Sequence, residues 1–398
     1  MKPSASDSDG RKITEKELID VFSDVFRFSK KPILSGSEFD DCAAVRFSFF
    51  TSVLGSDSDN ADLLRSTSLL FSTDTVHRKS DFPPSMSPWQ IGWMSAAVNL
   101  SDIAGMGGKP VAFLVSIGLS ADFSLNDARE LALGINDCVS MFGAEVIGGD
   151  TEFHDELTIT GTVIGVSENK HVLYRNGAKP GDLLCVTGFA GSAGVALDLL
   201  LNDPSFQKAG VSINSVSPAF LKNLTEPYPR VFEGRALSKT GAVTSMMDTS
   251  DGLAASVHEL SERSCVGFVV DAEKVPTEGE AFQILSQVCP TADSAKQALF
   301  EKALYTGGDY ELLFTVSPDK LKAVEAAFEQ LNQQLNQQLS RQSNQKDGGK
   351  AFKSGKSPSR FTVIGEATKD KSVLLKTESK GQIQLISLLK KGYDQFDK

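Results

Sequence analysis

Apolar and polar positions along the chain follow two rhythms, and their order predicts its elements. From 88 onward Ile91, Met94 and Val98 recur at helical spacing with Trp93, Ala97 and Leu100 alongside, which predicts a largely buried helix. Ser87 is placed to cap it, Pro88 takes the first helical position, and Gln90 completes an S-x-x-Q capping box. Its end presents Asn99 and Asp102 before Gly105, Gly107, Gly108 and Pro110. An acid there faces the negative end of the helix dipole. A bound cation offsets that cost, so Asp102 reads equally as a metal ligand or as an ordinary helix-terminal Asp.

The remaining pattern extends this stretch in both directions. Residues 13–29 read as a short helix, and Asp40 and Asp41 enter a short apolar strand at 42–45. Residues 52–66 read as a polar hairpin or loop. Residues 69–71 form a strand that ends in Ser72, Thr73 and Asp74. After the helix come a buried strand at 111–119 and a helix from the Ser124/Asp127 capping box to about Phe142. A strand at 145–148 stops at Gly149, Asp150 and Thr151, and 157–166 alternates Thr158, Thr160 and Thr162 against apolar positions. The order β-β-α-β-α-β-β predicts an α+β layer with a mostly antiparallel sheet.

Turn chemistry from Arg175 through Gly177, Pro180 and Gly181 marks a boundary. A second unit opens with a strand at 183–187 and a glycine-spaced turn at 188–194 that leads into a helix. The N–H groups of that turn could carry phosphate, although it lacks the G-K-[ST] of a Walker A loop and a plain helix entry is the simpler reading. A loop at 202–217, a strand at 242–247, a helix from Leu253, a strand at 311–316 and a long helix from Pro318 follow. Residues 341–359 are rich in Gln, Lys, Gly and Ser and read as a disordered insertion, and 361–364 returns to strand.

Composition narrows the classes. The chain has 398 residues, enough for two domains, with 40% hydrophobic and 23% charged positions, and no apolar run of transmembrane length. The polar N-terminus lacks the apolar core of a secretory signal. Five dispersed cysteines without a C-x-x-C fit reduced thiols in a cytoplasmic protein, and four scattered histidines argue against a transition-metal centre. A net charge of −11 disfavours nucleic acid and suits carboxylate sites for hard cations.

Candidate chemistry repeats one grammar: an element ends, and a small residue with Asp follows. The segments hold Asp40 and Asp41; Ser72, Thr73 and Asp74; Ser101 and Asp102; Gly149 and Asp150; and Asp248 through Gly252. One such segment reads as a turn. Five of them with only oxygen donors suit magnesium shared with phosphates.

The motifs STDT, NLSDIAGMG, IGGDT, DTSDGL and GGDYELLFTV resemble the thiamine-monophosphate kinases, in the superfamily of aminoimidazole ribonucleotide synthetase and selenophosphate synthetase. The resemblance runs from about Ile33 to near Ile364, plus the C-terminal GYDQF. It implies a two-domain PurM-like fold. One domain at 33–170 follows a lead-in at 1–32 and carries a mostly antiparallel sheet with helices on one face. An α/β domain spans 171–398. It also implies transfer of the ATP γ-phosphoryl to thiamine monophosphate, magnesium ions, and a homodimer joined through the N-terminal sheets. Carried over by position, Asp41, Ser72, Thr73, Asp74, Asp102, Asp150, Asp248 and Asp251 match magnesium positions. Gly149, Arg175 and Ser250 match nucleotide contacts. Asp102, Asp150 and Asp251 are the residues expected to carry catalysis, by positioning and charge neutralisation.

Departures cluster on the acceptor side. Phe39 stands where the family has Gly, Asp81 where it has His, and GGDYEL is one residue short of GGEDYEL, leaving Asp309 as the nearest acid. Lys390 replaces an aromatic residue before Gly392 and Tyr393, and Gln395 replaces His. Asp81, Asp309 and Tyr393 are the expected substrate contacts. The rival readings are a related ATP-dependent enzyme with another small acceptor, and an inactive nucleotide-binding homologue.

Overall fold

The computed structural model describes residues 41–46, 66–344, 358–379 and 381–392. The expected helix at 13–29, Phe39 and Asp40, most of the 52–66 loop and Tyr393 lie outside the described residues.

Among the described residues the first sheet holds five strands: β1 (Ala43–Arg46), β2 (Thr67–His77), β3 (Lys109–Leu119), β4 (Glu145–Phe153) and β5 (Thr158–Glu168). Their spatial order is β1-β2-β5-β3-β4, antiparallel except for the β3/β4 pair. Two helices cover one face, α1 (Pro88–Gly105) and α2 (Leu125–Met141). Both start from the capping boxes read in the sequence, with Ser87 against Gln90 and Ser124 against Asp127. The helices meet through glycine. A Cβ on Gly92 would lie 2.1 Å from the Leu131 carbonyl, and one on Gly134 would lie 1.9 Å from the Trp89 carbonyl.

Two strand ends lie elsewhere than expected. β2 does not stop at Ser72 but runs through Ser72, Thr73 and Asp74 to His77, and β4 runs through Gly149 and Asp150 to Phe153. Small polar residues resemble turn residues, yet hydrogen-bonded neighbours keep each segment extended: β2 pairs with β5 along its whole length, and β4 follows β3.

Among the described residues the second sheet has seven strands in the order β12-β11-β8-β10-β6-β9-β7. These are β6 (Leu183–Thr187), β7 (Val243–Asp248), β8 (Gly267–Asp271), β9 (Leu312–Val316), β10 (Phe361–Thr368), β11 (Val373–Ser379) and β12 (Gln382–Ser387). Only β8/β11 is a parallel pair among them. Helices α3 (Ser192–Leu200), α4 (Pro204–Ala209), α5 (Pro218–Thr225), α6 (Val231–Thr240), α7 (Leu253–Ser264), α8 (Gly279–Val288), α9 (Ala292–Tyr305) and α10 (Leu321–Asn344) surround it. The expected loop at 202–217 therefore contains α4, started by Asp203 and Pro204. The expected insertion is also shorter at both flanks, because 341–344 is helical while Ser359 is buried and bonded to Asn332. β9 is buried along its whole length, since Leu312, Phe314 and Val316 join one core and Leu313 another.

α1 belongs to both units. Its fully buried Trp93 donates Nε1–H to the Pro227 carbonyl at 2.8 Å. Its last turn lies against α6 so closely that a Cβ on Gly234 would sit 2.3 Å from the Ala104 carbonyl. One core runs from Leu70 and Ile103 through Leu237 to Phe314. Among the described residues no helix is long and apolar enough to cross a membrane.

Gly234→Ala tests this approach. The added methyl forces α6 away from α1 and costs about 1–3 kcal/mol. The thermal midpoint is expected to fall, and an unchanged midpoint would show that the seam yields freely.

Candidate active site

α1 ends among carboxylates. One oxygen each from Asp41, Asp102 and Asp248 lie within 4.8 Å of one another, and the three residues come from before β1, the last turn of α1 and the end of β7. The sequence places these acids far apart, and the packing of α1 against both sheets brings them together. Among the described residues Asp41 Oδ2 is buried without a hydrogen-bond partner. Gly105 makes room for it, since a Cβ there would meet Asp41 Oδ2 at 2.1 Å.

Electrostatics follow from this crowding. Asp102 has its pKa raised well above the ordinary value, first by burial and then by the charges of Asp74, Asp248 and Asp41. Asp248 is pushed up to about 8 by burial and by Asp41, while the Ser101 hydroxyl, bonded at 2.5 Å, and Arg175 oppose the rise. Asp41 is raised by burial against the pull of Arg175. An oxygen-only, desolvated, mutually repelling set with an orphaned buried lone pair fits a hard divalent cation.

β2 supplies the next acid by alternation. Ser72 and Asp74 share the face toward α1. Ser72 donates its hydroxyl to Asp102 Oδ2, and Asp74 lies close enough for its charge to raise the pKa of Asp102. Asn99, fully buried on α1, accepts the Asp74 N–H at 3.0 Å, and Gly161 opposite leaves room for the Asn99 amide. Thr73 points to the other face, where its hydroxyl bonds the Gly161 carbonyl at 2.7 Å and the Thr162 hydroxyl at 3.0 Å. Its side chain is therefore not brought to the acids as expected.

Asp150 is not brought there either. It is exposed on β4, and the register places it on the sheet face shared by Ser116, Thr160 and Thr75. Three strand spacings, about 14 Å, separate β4 from β2. Gly149 has a packing reason to be glycine, because a Cβ would lie 1.8 Å from the Val115 carbonyl. Asp251 stands close enough to Asp248 to raise its pKa, and the Ser250 carbonyl accepts the Gly308 N–H at 2.8 Å. Arg175, expected on nucleotide phosphates, gives its Nε and Nη2 to Asp41 Oδ1 and its Nη1 to Glu259 at 3.6 Å.

The expected substrate residues hold the chain's own backbone. Asp81 Oδ2 accepts the His77 N–H at 2.6 Å and the Ser80 hydroxyl at 2.9 Å, which closes the turn after β2. Asp309 accepts the N–H groups of Gly191 at 2.7 Å and Ala193 at 3.1 Å. The glycine turn considered for phosphate thus holds an internal carboxylate, whose pKa burial pushes up to about 7. Tyr393 is outside the described residues, but its neighbour Gly392 lies so close to the Asp251 carbonyl that a Cβ would be 2.7 Å from it.

Two groups at the site carried no role in the sequence reading. Ser101 holds Asp248, and its only signal was its place beside Asp102. Tyr310 lies against the same acids at φ +50°, with its pKa raised well above 10 by burial, then by Asp74, Asp248, Asp251 and Asp102. Its signal was membership in GGDYEL.

Comparison with known proteins adds to this geometry. Two family profiles match, AIR synthase related protein, N-terminal domain, over residues 40–167, and AIR synthase related protein, C-terminal domain, over 179–337. The thiamine-monophosphate kinase of Methanospirillum hungatei is 39% identical over 285 residues, 71% of this chain and 88% of that one. The chain belongs to the thiamine-monophosphate kinase family. The family's Bacillus subtilis member is 32% identical over 326 residues, 81% of this chain and 85% of that one. The fold is shared with a solved structure of AaThiL complexed with AMPPCP and TMP, at TM-score 0.69 and 22% identity over 96% of this chain and 97% of that one. It is also shared with the thiamine-monophosphate kinase of Stenotrophomonas maltophilia, at TM-score 0.61 and 24% identity over 90% and 95%.

The acids of this family member make a pH prediction. Asp248 ionises near 3.8 when unfolded and near 8 when folded. Its contribution to stability is therefore complete below 3.8 and is lost as pH rises toward 8. In EDTA the thermal midpoint is expected to fall between about pH 5 and about pH 8, and magnesium should restore it at the upper end. A midpoint insensitive to both pH and magnesium would contradict the carboxylate cluster.

Proposed function

We propose that the protein transfers the γ-phosphoryl group of ATP to thiamine monophosphate, giving thiamine diphosphate. The observation that carries this reading is the convergence of Asp41, Asp102 and Asp248 from both units, in a chain 39% identical to a thiamine-monophosphate kinase. The AaThiL relative, complexed with AMPPCP and TMP, supports the same pair of substrates.

The chemistry suits the residues. The acceptor is a phosphate oxygen, already anionic, so no side chain has to remove a proton from it. What remains is to hold two polyanions in line and offset their repulsion. Asp41, Asp74, Asp102 and Asp248, with Asp251 beside them, are the residues we assign to hold magnesium. Bound there, the ions supply the positive charge that the phosphates require. Ser72 and Ser101 orient Asp102 and Asp248 by hydrogen bonds, and Asn99 fixes the backbone at Asp74. Arg175 holds Asp41, Tyr310 lies beside the acids, and Ser250, between Asp248 and Asp251, is the residue we assign to the nucleotide. Gly392 packs against the Asp251 carbonyl, and we assign Tyr393, next in sequence, as an acceptor contact. We further assign the protein to a reducing, cytoplasmic setting, supported by its free cysteines. We also assign it a homodimeric state, supported by the exposed edge strand β4.

Coupled ADP release with ATP, magnesium and thiamine monophosphate tests the reading. Turnover is expected to require all three. Release only with another acceptor would favour the related-enzyme reading, and nucleotide binding without release the inactive one. Asp102→Asn should lower turnover by about 100-fold or more. Because it removes a repelling charge, the same change should raise the metal-free thermal midpoint. Near-normal turnover in that variant would remove Asp102 from the cation site.

A further inference from the structure

The acid loop after β7 is held by a buried ion pair between Arg230 and Glu311, the latter in the GGDYEL motif, where the sequence reading assigned it no role. Glu311, just before β9, accepts from Arg230 Nε at 2.6 Å and Nη2 at 2.5 Å, and from the Thr187 hydroxyl at 2.6 Å. Arg230 also reaches Glu233 at 3.2 Å, and Ser359 donates to the same carboxylate at 2.8 Å. The backbone of Glu311 is tied to the acid loop in both directions. Its carbonyl accepts the Thr249 N–H at 2.8 Å, and its N–H donates to the Thr249 hydroxyl at 3.1 Å. Thr249 follows Asp248 directly and lies two residues before Asp251.

We propose that Arg230 and Glu311 form a positioning clamp that sets Asp248 and Asp251 against Asp102 for cation binding. The inference rests on the cation site proposed above and extends it to residues outside that site. Three observations carry it. First, the clamp has a rigid footing: Arg230 opens α6, and α6 is pressed against the end of α1 that bears Asp102 through Gly234 and through Ser238 beside Gly107. An unbroken path of packed or bonded groups therefore runs from Asp102 through α6, Arg230, Glu311 and Thr249 to Asp248. Second, the clamp bounds a strained segment. Tyr310 occupies the left-handed region at φ +50°, and such a conformation in a bulky residue persists only where its neighbours over-determine it. Gly308 and Gly307 hold the other side of that segment: the Gly308 N–H bonds the Ser250 carbonyl, and a Cβ on Gly307 would lie 2.3 Å from that oxygen. Third, a buried ion pair adds little net stability compared with apolar residues of similar volume. A bidentate fork does fix direction, and direction is what a loop carrying two cation ligands requires.

The test uses the full chain with Glu311→Gln and, separately, Arg230→Lys, which keeps the charge but loses the fork. Mn2+ is titrated in the presence of AMPPCP, well below each variant's thermal midpoint, alongside kcat and KM. Glu311→Gln is expected to weaken Mn2+ binding about tenfold or more, with a smaller loss in Arg230→Lys. In both, kcat falls while the KM for thiamine monophosphate stays within about threefold. Wild-type Mn2+ affinity in the folded variants, whatever their thermal midpoints, would overturn the clamp alone, and so would failure of both variants to fold. A wild type that binds Mn2+ but turns over no thiamine monophosphate would reject the acceptor and leave the clamp standing. A wild type that binds no Mn2+ would overturn the cation site and the clamp together.

Discussion

Carboxylates forced together at the end of one buried helix are the constraint on which this structure depends. Asp102 occupies the electronegative end of α1, and Asp41, Asp74 and Asp248 converge on it. Left to itself this arrangement opposes folding, because burial and mutual repulsion both disfavour the charged forms. The fold holds it by surrounding the acids with donors and with groups too small to intrude. Ser72, Ser101 and Arg175 donate to the carboxylates, while Gly105 and Gly161 leave the space they and Asn99 need.

α1 makes this possible by being shared. Its N-terminal half packs on α2 and its C-terminal half on α6, and the core it anchors extends into the second sheet. The acids from the two units are consequently fixed in relation to one another by helix packing rather than by a flexible linker. Arg230 and Glu311 continue that path on the far side of the cluster, so the site is braced from both ends.

What the sequence made legible was what depends on near neighbours. The Ser87 and Ser124 capping boxes involve residues three apart, and both appear as read. The element order of the first unit and its mostly antiparallel sheet followed from alternation and helical period. Ser72 to Asp74 and Gly149 to Asp150 were misjudged as ends because local preference favours turns, whereas pairing with strands distant in sequence keeps them extended. The same alternation then divides Asp74 from Thr73, a distinction invisible while the segment is read as a turn. Asp81 and Asp309 were read as acceptor contacts from their motifs, but unpaired N–H groups at 77, 191 and 193 captured them. Arg230 and Glu311 stand 81 positions apart, and nothing local in either segment indicates that they pair.

The aromatic residues of α1 give the molecule an optical property. Its two tryptophans, Trp89 and Trp93, are both on this helix, with ring centroids 5.3 Å apart. One indole is bonded to Asp137 on α2 at 2.9 Å, and the other to Pro227 just before α6. All indole emission from the protein therefore originates on the one helix that both units share. An event that slides the units past each other alters the surroundings of Trp93, which bonds across to Pro227, and does so without a label and without interference from indoles elsewhere in the chain.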